Sequence, residues 1–212
     1  MIAVYIVDDH ALIREGIKRI VLNTDDMQIV GEAGDGQELL RSIADDSFGI
    51  DVLLLDISLP GRNGIDILKQ VKSLRPALAV LMLSIMSEEE YALRALRAGA
   101  AGFMRKESTP DELIDAIRKI HGGGKYISAT LAEKLIDLTR DGDVITHHQQ
   151  LSDRELQVLG QISAGKTISE IARDLSLSVK TISNLRLRLL KKMGMSSNAQ
   201  LMHYTIENNL KI

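Results

Sequence analysis

Five side chains carry the chemistry that this sequence suggests: Asp8, Asp9, Asp56, Ser84 and Lys106. Each follows a short apolar run. Ile2 to Val7 leads to Asp8-Asp9, Val52 to Leu55 to Asp56, Leu78 to Leu83 to Ser84, and Ala101 to Met104 to Lys106 one residue further on. Gathered at one edge, three carboxylates at contact distance repel by about 4 kcal/mol per pair at an effective dielectric near 20. One of them keeps its proton unless a cation joins them. A hard divalent ion meets that need, and Mg2+ favours a few carboxylates with water and phosphate oxygens. Beside such an ion, an ionised Asp56 is a nucleophile that can form an acyl phosphate. Lys106 offers a fixed positive charge to phosphoryl oxygens, and Ser84 a hydroxyl. Alone, each residue has a plainer role: Asp8-Asp9 as a helix cap, Asp56 as a turn cap, Ser84 in a turn, Lys106 as a solvated charge. The chemistry rests on all five arriving together.

The elements that would bring them together follow in strict order. Apolar residues at helical period mark residues 10–23, and a short strand covers Met27 to Val30. A second helix is expected over 37–47. The run into Asp56, bounded by Pro60-Gly61 and Asn63-Gly64, reads as a strand buried on both faces. A third helix, 63–75, stops before Pro76. After the Ser84 strand, Ser87-Glu88-Glu89-Glu90 is a capping box for helix four. Thr109-Pro110-Asp111-Glu112 opens helix five, which runs to about His121. Five βα units predict a flavodoxin-like sheet of five parallel strands, order 2-1-3-4-5, with helices on both faces. Right-handed crossovers then set all strand carboxyl ends at one edge.

Charge divides the chain. Residues 151–212 hold nine Lys/Arg against five Asp/Glu, a balance of +4, within a total of -3. An acidic first part and a basic last part point to two domains with different partners, the second meeting nucleic acid. The expected organisation is a phosphoacceptor domain at 1–121, a linker with one helix at 122–150, and a DNA-binding domain at 151–212. Gly122-Gly123-Gly124 breaks the first pattern. Ile127, Leu131, Leu135 and Leu138 mark the linker helix, followed by a polar stretch to Gln150. There is no Cys, which suits a reducing compartment. No charged segment before a long apolar run suggests a signal peptide or membrane span. The expected location is the cytoplasm.

Residues 151–212 read as four short helices in a small all-α domain. Capping boxes open at Ser152 and Thr167, and caps stand at Ser178 and Ser197. A short helix (167–174), a tight connection and a basic helix (179–193) form a helix-turn-helix pattern. On the second helix Ile182, Leu185, Leu189 and Met193 share the core stripe. The opposite sector holds Lys180, Ser183, Asn184, Leu187, Arg188 and Lys191, with Thr181 beside it. Such faces are usually just solvated. A leucine in the middle of this one suits a major groove better: amide and hydroxyl toward base edges, Leu187 toward a thymine methyl, cations toward phosphate.

These residues carry a family resemblance. Val7-Asp8-Asp9-His10, Leu55-Asp56-Ile57-Ser58-Leu59-Pro60-Gly61, Leu83-Ser84 and Ala98 to Lys106 resemble the receiver domain of two-component response regulators. Leu151 to Leu156, Gly165 to Ala172, Leu177 to Ile182 and Lys192-Met193-Gly194 resemble the LuxR-type helix-turn-helix. Together they resemble a NarL/FixJ-type response regulator over nearly the whole chain. The resemblance implies that Asp56 accepts phosphate from a histidine kinase. It implies Mg2+ held by Asp9 and Asp56, by Asp8 through water, and by the Ser58 backbone carbonyl. It also implies movement of Ser84 and Phe103 on phosphorylation, homodimerisation through the last helix (Leu201, Tyr204, Thr205, Ile206), binding to double-stranded DNA and contact with RNA polymerase. Ser58 and Met86 stand where the phosphoryl lifetime is tuned. Glu107 replaces a common proline, Leu185 a common histidine, and Leu187 a common basic residue. Three rivals remain: a DNA binder whose receiver only dimerises, a Mg2+-dependent phosphohydrolase, and a tail with an output other than DNA. The second lacks the acid it would need two residues after the nucleophile, where this chain has Ser58.

Overall fold

The computed structural model describes residues 1–44, 49–85, 88–128, 131–133, 147–208 and 210. The chain forms two compact units, Met1–Ala132 and Glu133–Ile212. The Ser87 cap, Met86, Leu135, Leu138 and the polar stretch through Ile145 lie outside the described residues.

The first unit is a parallel sheet of five strands: β1 (Ile2–Val7), β2 (Met27–Ala33), β3 (Val52–Asp56), β4 (Ala79–Ser84) and β5 (Gly102–Arg105). Its order is β2-β1-β3-β4-β5, as the sequence predicts. Between the strands run α1 (Ala11–Leu22), α2 (Gly36–Ala44), α3 (Gly64–Leu74) and α4 (Glu88–Arg97), and α5 (Pro110–His121) follows β5. Every residue of β1 and β3 is buried. This is the mark of a parallel sheet covered on both faces. Val4, Ile6, Val52, Leu54, Leu81 and Leu83 pack with Ile17 and Val21 of α1 and Leu113, Ala116, Ile117 and Ile120 of α5. On the other face α2 packs on α3, and α3 on α4.

β2 continues three residues past the expected Val30. Gly31 reads as a breaker in sequence, yet here it pairs with Tyr5, and Glu32 and Ala33 pair with Ile6 and Val7. A Cβ at Gly31 would meet the Tyr5 ring at 2.5 Å, so the glycine makes room for the tyrosine. β5 is shifted one residue onward from its expected span. Beyond α5 the chain stays on the first unit: Tyr126 bridges Gly102, its amide donating to the Ala101 carbonyl at 3.1 Å. Gly122 to Gly124 turn back on the end of α5, and Tyr126, within the expected linker, lies at the edge of β5.

In the second unit a 3-10 turn (His147–Gln150) precedes α6 (Asp153–Ser163), α7 (Ile168–Asp174), α8 (Val179–Met193) and α9 (Asn198–Glu207). The capping boxes at Ser152/Glu155 and Thr167/Glu170 are both formed. Ser178 and Ser197 cap α8 and α9, and Gly194 ends α8 in the left-handed conformation that glycine favours. Glu155 also receives Lys192 Nζ at 2.6 Å, tying α6 to α8. Leu201 and Thr205 are buried in this unit's own core, with Thr205 Oγ1 donating to Ser163 Oγ at 3.0 Å. Of the four residues expected at a dimer seam, Ile206 is the open one, 76% exposed. Among the described residues no helix is long and apolar enough to cross a membrane.

Gly64, where β3 turns into α3, is the tightest position near the acidic edge. A Cβ there would lie 2.1 Å from the Asp56 carbonyl oxygen. Gly64→Ala is expected to lower stability by about 2 kcal/mol, since rigid backbone must move. Urea denaturation of the two proteins measures it.

Candidate functional site

β1, β3, β4 and β5 end at one edge of the sheet, and the turns after them build an acidic pocket. Beyond β1 the chain enters α1 through Asp8, Asp9 and His10. Asp8 is fully buried and Asp9 sits at the rim. The His10 amide donates to Asp8 Oδ1 at 2.9 Å. His10 Nδ1 lies 3.2 Å from Asp8 Oδ1 and 2.7 Å from Asp9 Oδ1, so one imidazole spans both carboxylates. One turn further on, Arg14 Nη1 donates to the Asp8 carbonyl at 2.6 Å. Together these contacts fix the direction in which the two aspartates face.

Asp56 is buried at the end of β3, and its Oδ1 accepts the Ser58 amide at 3.2 Å. Behind it the chain is pinned twice: Ile57 N donates to the Leu83 carbonyl at 3.1 Å, and Asn63 Oδ1 caps α3 at the Ile65 amide. Lys106 follows β5. Its amide donates to the Ser84 carbonyl at 2.8 Å, which aims its side chain back across the sheet edge. Lys106 Nζ reaches Asp8 Oδ2 at 2.6 Å and Asp56 Oδ2 at 2.9 Å. Only 6% of that side chain is exposed.

One ammonium is thus shared by two buried carboxylates. Burial pushes the Asp56 carboxyl above its ordinary range, and Asp8 adds to the rise. Lys106 and the Ser58 amide oppose it without cancelling it. For Lys106, burial acts to lower the pKa, but the flanking Asp56 and Asp8 outweigh it and the net shift is upward.

One ligand atom from each of Asp8, Asp9, His10 and Asp56 lies within 4.8 Å of the others. Three carboxylates are hard oxygen donors, the set that Mg2+ prefers. His10 is already engaged with two of them and orients them. The donor chemistry fits the divalent ion that the sequence implies.

The structure therefore brings Asp8, Asp9, Asp56 and Lys106 together. Ser84 is buried and holds Lys106 through its carbonyl, and Phe103 is buried within β5. Sequence reasoning did not assign the contacts of His10, Arg14, Asn63 and Gly64. A histidine next to the acid pair, with an arginine four residues on, was the available signal.

The second unit presents the α8 face as expected. Lys180, Thr181, Asn184, Leu187, Arg188 and Lys191 are exposed, and Ser183 is half-buried. Ile182, Leu185, Leu189 and Met193 face inward. Ser178 caps the helix at the Thr181 amide, and the two hydroxyls lie 2.8 Å apart.

Residues 4–118 match the response regulator receiver domain, and residues 149–205 match the bacterial regulatory proteins of the luxR family. The response regulator UvrY of Escherichia coli is 31% identical over 211 residues, 99% of this chain and 96% of that protein. This chain belongs to the NarL/FixJ family of response regulators. The transcriptional regulatory protein UhpA of Salmonella typhimurium is 36% identical over 203 residues, covering 96% of this chain and 97% of its own. Among solved structures, RcsB of Salmonella typhimurium superposes with a TM-score of 0.70 at 25% identity, covering 100% of this chain and 98% of that one. RcsB bound to the promoter rprA in the presence of phosphomimetic BeF3- gives 0.66 at 26% identity, with 96% and 98% covered. The response regulator described here thus carries a receiver and a LuxR-type DNA-binding domain and regulates transcription. Its named relatives are a response regulator and a transcriptional regulatory protein.

The raised Asp56 pKa has a sign that can be measured. A carboxyl whose folded-state pKa lies above its unfolded value favours folding in its protonated form. Its stabilising effect is present at low pH and is lost as the pH rises through the folded pKa. At neutral pH the ionised Asp56 therefore costs stability. Without added metal, Asp56→Asn is expected to be more stable than the wild type at pH 7 by about 1 kcal/mol. The gap closes as the pH falls toward about 4, near the unfolded carboxyl pKa. Melting curves followed by circular dichroism across this range read the difference; a less stable variant at pH 7 contradicts it.

Proposed function

We propose that this response regulator is switched by phosphoryl transfer from a histidine kinase to Asp56, which controls dimerisation and sequence-specific DNA binding. The observation that carries this reading is the placement of Asp56. It is a buried carboxylate at a strand end, 2.9 Å from Lys106 Nζ and clustered with Asp8 and Asp9. An Asp56 carboxylate oxygen attacks the phosphorus of the kinase phosphohistidine. The P–N bond breaks, the imidazole leaves, and an aspartyl phosphate forms. Asp8, Asp9, Asp56 and the Ser58 carbonyl would hold Mg2+, which would supply positive charge to the phosphoryl oxygens. Lys106, freed from the Asp56 carboxylate when that group becomes an acyl phosphate, moves its ion pair to those same oxygens. Ser84 follows with its hydroxyl and Phe103 repacks behind it, and a two-state face of the receiver is biased toward the active form.

The output is a dimer on double-stranded DNA. The α8 residues Lys180, Thr181, Ser183, Asn184, Leu187, Arg188 and Lys191 meet the major groove and its phosphates, and α9 contributes the exposed Ile206 to the dimer seam. RNA polymerase is the further partner, and the cytoplasm the place of action. The linker between the units lies within residues 122–150.

Incubating the protein with acetyl phosphate and Mg2+ and recording the intact mass tests the switch. We expect one phosphoryl group on the wild type, none on Asp56→Asn, and none in the presence of a chelator. A wild type that gains no mass, or an Asp56→Asn variant that gains as much, overturns the reading.

A further inference from the structure

The α8 face has one member that phosphate binding does not explain. Leu187 is 59% exposed in the middle of a cationic and polar stripe. It is no part of the domain core, which α8 supplies through Ile182, Leu185, Leu189, Leu190 and Met193. Its helical neighbours at i−4, i−3 and i+4 are Ser183, Asn184 and Lys191, and the one at i+3, Leu190, is buried in the core. An isobutyl group there gives nothing to a phosphate and only loses by facing water. Four carbons among hydrogen-bonding and charged groups suit a surface that is itself polar with one apolar point. The major groove has such a point in the C5-methyl of thymine.

We propose that Leu187 is a specificity-determining residue that reads a thymine methyl group, and that Asn184 reads the adenine of a neighbouring base pair. The inference rests on the DNA-binding reading of α8 and deepens it. Asn184 is exposed and stands three residues before Leu187, on the same face. Three residues of helix rise span about 4.5 Å, close to one base-pair step. A side-chain amide pairs bidentately with adenine N6 and N7, and no other base offers both of those groups in the major groove. The two residues together specify a short A·T step in each half-site. Lys180, Arg188 and Lys191 flank the pair on the same sector and fix the helix on the backbone without sequence preference.

Uracil separates the methyl from everything else, because deoxyuridine keeps the pairing edge and the groove acceptor of thymidine. A pool of randomised duplexes is selected on the full-length protein, and each thymine of the enriched sequence is replaced in turn by deoxyuridine. We expect one thymine per half-site, beside an adenine, at which the replacement weakens wild-type binding about fourfold, the worth of one buried methyl. Leu187→Ala is expected to bind the thymidine and deoxyuridine duplexes equally while melting as the wild type does, since the side chain lies outside the core. A selected sequence with no uridine-sensitive thymine, or the same sensitivity in Leu187→Ala, overturns the inference and leaves DNA binding standing. Retention of duplexes with no enriched sequence overturns the sequence-specific reading of α8 itself, and this inference with it.

Discussion

Two buried carboxylates share one buried ammonium, and the receiver is arranged around that imbalance. Asp8 and Asp56 both touch Lys106 Nζ, so the pocket retains a net negative charge in surroundings where charge is costly. The cost shows in the raised pKa of Asp56, which burial drives. It is tolerated because the backbone over-determines every member. Asp8 is fixed by His10 and Arg14, Asp56 by the Ser58 amide, and Lys106 by the Ser84 carbonyl. In the proposed function, a site held in this state receives added positive charge and a phosphoryl group that brings its own oxygens to Lys106. The same electrostatics that destabilise the resting pocket favour its occupied form.

The second unit solves a different problem. It is small, and the polar face of α8 is exposed, so that face gives nothing to the core. Stability comes from capping of each helix, from the Glu155–Lys192 pair that joins α6 to α8, and from a core in which α9 contributes Leu201 and Thr205. His148, just before α6, is buried and meets the Tyr204 hydroxyl at 2.9 Å, which fastens the entry of the unit to its last helix. The cations, Asn184 and Leu187 are thereby left at the surface on a rigid helix.

Much of this was legible in the chain. The strand order, the edge at which Asp8, Asp56 and Lys106 meet, and the inward stripe of α8 follow from apolar runs ending in polar residues and from helical periodicity. Capping boxes were equally readable at Thr109, Ser152 and Thr167, because they need residues only three apart. What escaped depends on contacts distant in sequence. Gly31 reads as a break until Tyr5 is seen to occupy the space where its side chain would be. The return of Tyr126 to Gly102 carries no local signal, since a glycine triplet beforehand argues for an exit. The seam over Leu201, Tyr204, Thr205 and Ile206 is implied by the family resemblance, and spacing alone leaves open whether each residue closes this unit's own core, as Leu201 and Thr205 do, or meets a second copy.

The most direct test of the link between the two units is the DNA affinity of the full-length protein before and after exposure to acetyl phosphate and Mg2+. It is read by fluorescence anisotropy on one labelled duplex that carries the selected sequence. We expect binding to tighten at least about tenfold, an energy of about 1.4 kcal/mol and within the usual range of such coupling, and Asp56→Asn to show no change. Equal affinity in the two states of the wild type, or the same tightening in Asp56→Asn, would contradict control of DNA binding by the acidic pocket.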